Sequence, residues 1–90
     1  MLESKLQAKF IKELESKGYY VIKLGVTNKN GIADILALPK GCNAEFYEVK
    51  QKGKEPRPLQ IFRAKEINEG NYGSVYLYDG EIKKIWKIIY

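Results

Sequence analysis

The sequence predicts an α/β domain, a mixed β-sheet with helices packed on it. Three observations point there. Leu2, Leu6, Phe10, Ile11 and Leu14 recur mostly at three- or four-residue intervals, the period of an amphipathic helix. Four short runs rich in apolar, β-branched and aromatic residues follow, separated by Gly, Pro, Asn and Asp, which is how strands and their turns read. A second helix is signalled between the third and fourth runs by Pro58 at its start and Gly70 just past its end, the usual placement of those two residues.

Taken in order, residues 2–17 form the first helix, and Gly18 sits where a helix C-terminus favours glycine. Residues 19–24 form a strand, and the polar stretch 25–31 (GVTNKNG) a loop. Residues 32–38 are a nearly all-apolar strand interrupted by Asp34, closed by Pro39, Lys40 and Gly41. Residues 45–50 are a third strand, 52–58 a loop holding Gly53, Pro56 and Pro58, and 58–69 the second helix. Residues 74–78 (SVYLY) form a fourth strand, ended by Asp79-Gly80. In the tail, 81–90, Ile82, Ile85, Trp86 and Ile89 match a helical stripe, while Trp86, Ile88 and Tyr90 match strand alternation; helix is the expectation. The order is αβββαβ plus a tail, read as one domain over residues 1–90 with a core at about 3–78.

Composition narrows the chemistry. The chain has 90 residues, no His and a single Cys. That excludes an intrachain disulfide, leaves almost nothing for a structural zinc site, and removes Ser-His-Asp, Cys-His and His-base catalysis. No apolar run approaches the roughly 20 residues of a membrane span, and no signal peptide is visible. The net charge is +5. It is concentrated in residues 50–65, where Lys50, Lys52, Lys54, Arg57, Arg63 and Lys65 face only Glu55. Such a local excess suits a polyanion, nucleic acid being the common one, or is simply a solvated basic loop. Any catalysis must rest on carboxylates, Lys, Tyr or an oxygen-bound metal.

Polar residues in apolar settings locate the candidate site. Asp34 is the one charge inside Gly31–Leu38; it is either a carboxylate in a low-dielectric setting or a strand-end Asp accepting backbone N–H bonds. Glu48 and Lys50 are two apart on one strand, so they share a face, as a functional pair or as an edge-strand ion pair of little energetic weight. At about 100° per residue, Glu3 falls within the apolar stripe of the first helix and Gln60 between Ala64 and Ile67 on the second. Their alternative readings are an acid favouring the helix dipole and an amide at a frayed helix start. Together the carboxylates form a hard oxygen site suited to Mg²⁺ or Mn²⁺, with a lysine beside it to stabilise developing charge.

Gly31-Ile32-Ala33-Asp34, then Glu48-Val49-Lys50, then Pro58-Leu59-Gln60 resemble the PD-(D/E)XK nucleases. They are most similar to the small VRR-NUC branch, known from phage and bacterial proteins and from the nuclease domain of a DNA-crosslink repair enzyme. The usual proline before the Asp is Ala33 here. The resemblance implies a restriction-endonuclease-like fold. It implies a Mg²⁺- or Mn²⁺-dependent DNA endonuclease acting on junction- or flap-like DNA. Asp34, Glu48 and the Val49 carbonyl would be metal ligands, with Glu3 reaching the same site. Lys50 would be the catalytic lysine and Gln60 would position water or the lysine. Lys52, Lys54, Arg57 and Arg63 would grip phosphates. A homodimer is expected, with Ile85, Trp86 and Ile89 as interface candidates unless they cover a sheet face, in the cytoplasm of a prokaryotic or phage-infected cell. The rival expectations are a non-catalytic nucleic-acid-binding domain that keeps the fold, and a small structural protein in which Glu48 and Lys50 are a surface pair.

Overall fold

The structure, a computed structural model, describes residues 2–85. Its elements run α1 (Glu3–Ser16), β1 (Tyr20–Lys23), β2 (Ile35–Leu38), β3 (Glu45–Val49), α2 (Pro58–Glu69), β4 (Ser74–Tyr78) and β5 (Ile82–Lys84). The five strands form one sheet in the order β1-β2-β3-β4-β5. All pairings are antiparallel except β3 with β4, which α2 connects in parallel. This is the predicted α/β architecture with a mixed sheet.

Strand alternation sorts the core into two layers. Ile35, Ala37, Tyr47, Val49 and Tyr78 point to one face, where Phe10 and Leu14 of α1 cover them. Phe10 lies between two rings, stacked on Tyr78 at 3.7 Å between centroids and edge-on to Tyr47 at 4.8 Å. Val75 and Leu77 point to the other face, under Ala64 and Ile67 of α2, with Ala33 and Ile85 completing that layer. β4 is thereby buried on both faces, Tyr78 on the α1 side and Val75 and Leu77 on the other, which fits its near-continuous apolar sequence.

Both helices end in the same way. Past α1, Gly18 takes φ +91° while its N–H bonds Glu15 O at 3.0 Å and the Tyr19 N–H bonds Leu14 O at 3.1 Å, a Schellman closure. Past α2 the left-handed residue is Asn71 at φ +57°, not Gly70, and the matching bonds run from Asn71 to Asn68 and from Tyr72 to Ile67.

The expected tail helix is corrected. Residues 82–84 form β5, paired with β4 in the register Tyr78↔Ile82, Leu77↔Lys83 and Tyr76↔Lys84. Asp79-Gly80 ends β4 as expected and turns the chain into a hairpin rather than a helix: Gly80 adopts φ +112°, and Lys83 bonds Asp79 at 2.9 Å across the turn. The physical reason is the open edge of β4, whose unpaired backbone groups gain partners from a strand and none from a helix. Ile85 is buried in the α2-side core, so it is a core residue and unavailable as an interface; Trp86 and Ile89 lie outside the described residues. No helix among the described residues is long and apolar enough to cross a membrane.

Candidate active site

Register brings the candidate residues to one end of the sheet. Because Ile35 pairs with Tyr47 in the antiparallel β2–β3 ladder, Asp34 stands across from Glu48. Backbone bonds hold it there: the Asp34 N–H donates to Tyr47 O at 3.0 Å, and Asp34 O accepts from Leu24 N at 2.8 Å. Lys50, two residues beyond Glu48, shares its face and is pinned by its N–H on Tyr78 O at 3.0 Å. Among the described residues, Glu48 and Lys50 are the buried charged side chains, 2% and 8% exposed. A surface ion pair, one of the readings open from sequence, is thereby excluded.

The bonds around Glu48 are directional. Gln60, at the third position of α2, accepts from the Arg57 N–H at 2.7 Å through Oε1 and donates from Nε2 to Glu48 Oε1 at 2.8 Å. One amide thus caps the helix and holds the carboxyl, so Gln60 is neither frayed nor idle. It touches Glu48 rather than Lys50. Lys50 Nζ approaches the same Glu48 oxygen at 4.0 Å.

The Glu48 carboxyl is pushed up to about 8, first by burial and then by the Asp34 carboxylate beside it; a hydrogen bond to Asp34 and the charge of Glu3 contribute to the rise, and Lys50 offsets part of it. Glu48 thus sits at the centre of an anionic group that favours a proton or a cation. Asp34 is half-buried, and its Oδ2 accepts the Val49 N–H at 2.8 Å. The strand-end role is real, and it coexists with the pairing to Glu48. Glu3, half-buried in the first turn of α1, is felt electrostatically. It does not close a three-acid cage, because among the described residues no group of three His, Cys, Asp or Glu could hold a metal. The donor set is a carboxylate pair with the Val49 carbonyl adjoining in sequence. Hard oxygens of this kind fit a divalent cation that keeps several waters, as Mg²⁺ does.

The basic residues divide into two groups. Lys52, Lys54 and Arg57 are exposed in the loop between β3 and α2, at the end of the sheet where Lys50 lies. Arg63 is engaged elsewhere: its Nε donates to Asn30 O at 2.9 Å and its Nη1 to Glu66 at 3.0 Å. A cleft of about 290 Å³ opens beside Asp34, lined by Leu24, Val26, Lys29 and Asn30 among others. Sequence reasoning treated this loop only as a connection, and the run of turn residues before Asp34 was the available signal.

No protein-family model and no curated protein matches the chain. Among solved structures, one titled "VRR_NUC domain" superposes with a TM-score of 0.74 at 21% identity, covering 96% of this chain and 88% of that one. The chain therefore has the fold of a VRR-NUC domain, the restriction-endonuclease-like architecture that its own motifs resemble.

Proposed function

We propose that this protein is a divalent-metal-dependent endonuclease that hydrolyses phosphodiester bonds in DNA of junction- or flap-like structure. The observation that carries the proposal is the buried Glu48 set across the sheet from Asp34, with Lys50 on the same face and Gln60 locking it. Burying a carboxylate and an ammonium beside a half-buried second carboxylate costs several kcal/mol, and folding alone gives little reason to retain them.

Asp34, Glu48 and the Val49 carbonyl would hold Mg²⁺ or Mn²⁺. When bound, the cation would neutralise charge on the scissile phosphate and acidify water. The chain's own residues do the rest. Lys50, held at 4.0 Å from Glu48, stands where an ammonium stabilises charge developing on the phosphoryl oxygens. Gln60 keeps Glu48 in one orientation, so ligation costs little reorganisation. Lys52, Lys54 and Arg57 contact the phosphate backbone without reading sequence. The test is cleavage by Lys50→Ala alongside wild type, with binding measured in parallel. Loss of cleavage with binding kept supports the proposal; cleavage near the wild-type rate overturns the site.

A further inference from the structure

We infer that Arg63 is a positioning residue for Asp34, a strut between α2 and the loop that delivers that carboxylate, and not a phosphate contact. Its catalytic consequence rests on the nuclease reading; its structural consequence does not.

Arg63 lies one turn beyond Gln60 on α2. Its guanidinium donates in two directions at once, through Nε to the backbone O of Asn30 at 2.9 Å and through Nη1 to Glu66 Oε1 at 3.0 Å. The Glu66 bond aims the fork, and the Asn30 bond holds the loop four residues before Asp34. A second point fastens the same backbone. Gly31, at φ +82°, passes so close to α2 that a Cβ there would lie 2.6 Å from Leu59 Cγ and 3.1 Å from the Leu59 backbone. From these points the chain has little freedom left. The Ile32 N–H closes onto Lys29 O at 3.2 Å, Ala33 is buried against the α2-side core, and the Asp34 N–H enters the β3 ladder.

One helix thereby sets both halves of the carboxylate pair, Glu48 through Gln60 and Asp34 through Arg63. The geometry requires arginine: lysine offers a point charge with no planar fork and would not hold two fixed acceptors in the same way. With Glu66 as its partner and its Arg63 side chain only 19% exposed, Arg63 adds little to the field that a phosphate senses.

The experiment compares Arg63→Gln and Arg63→Lys with Lys54→Ala. Amide exchange is read on the metal-free protein, and DNA binding and cleavage across a salt series. Both Arg63 variants are expected to speed exchange at Ile32 and Asp34. Their cleavage at saturating DNA should fall about 10- to 100-fold, the scale of a small misplacement of a reacting group, while affinity and its salt slope stay at wild type. Lys54→Ala should do the reverse, weakening binding and leaving exchange at Ile32 unchanged. Unaltered exchange at Ile32 and Asp34 in Arg63→Gln overturns the strut. So does a salt slope lowered by about 1 with full cleavage at saturation, the signature of a lost phosphate contact, or full rescue of the loop by Arg63→Lys. A wild-type protein that neither binds nor cuts DNA would defeat the nuclease reading, and amide exchange would still decide the strut.

Discussion

Replacing Glu48 by Gln should stabilise the metal-free protein at high pH. In the fold the Glu48 carboxyl is raised from 4.5 to about 8, by burial first and the neighbouring Asp34 second. Between those two values the folded state holds a proton that the unfolded chain has released. Stability therefore falls as pH rises through this window, and the loss is complete above about 8. A shift of that size corresponds to roughly 5 kcal/mol at about 1.4 kcal/mol per unit. Relaxation and water entry around the newly charged group reduce the realised cost, so about 2 kcal/mol or more is expected. Gln is the right probe because it keeps both bonds of the protonated acid: its oxygen accepts from Gln60, and its amide donates to Asp34. The assay is urea unfolding of both proteins in EDTA from pH 5 to 9. The curves should nearly meet at pH 5 and separate by pH 9, with the variant more stable. Curves that stay parallel would mean that Glu48 ionises as freely folded as unfolded, and the argument from burial beside Asp34 would fail.

Other outcomes follow from the same geometry. Excess Mn²⁺ at pH 8 should stabilise wild type, by about 2.7 kcal/mol at a hundred times Kd, and should do much less for Glu48→Gln; equal thermal shifts would remove Glu48 from the ligand set. Lys52→Ala should weaken DNA binding and reduce the dependence of log K on log salt by about 1, with the cleavage rate at saturating DNA kept, read from binding curves between 50 and 200 mM salt. Phe10→Ala should cost about 3–5 kcal/mol, since it removes the ring between Tyr78 and Tyr47; a loss below about 1 kcal/mol in denaturant titration would contradict the two-layer core.

Much of this fold was legible because local signals agreed with tertiary demands. Pro58 and the residues up to Glu69 marked α2 at the observed ends. Asp34 stood out because it breaks an apolar run of sequence and stands just before β2, and Glu48 and Lys50 because a period of two keeps them on one face. The angle of Gln60 between Ala64 and Ile67 left open an inward amide or a frayed helix start, and its bond to Glu48 decides for the first. What sequence did not disclose was pairing at long range. The tail, 81–90, carries a helical stripe as well as strand alternation, and at residues 82–84 the choice was made by the open edge of β4, which local periodicity does not register. The partner of Arg63 is a backbone oxygen 33 residues earlier, and a main-chain acceptor leaves no trace in side-chain pattern. Arg63 therefore read as one more positive charge in a basic run.

The most direct test of the central claim is cleavage of a panel of four-way junction, flap, single-stranded and supercoiled DNA. It is run with Mg²⁺, Mn²⁺ or EDTA, with Asp34→Asn beside wild type. The site described here predicts cutting of junction or flap DNA that needs the metal and vanishes in the variant. DNA bound but left intact under both metals would contradict it, and would leave a nucleic-acid-binding domain on a nuclease fold.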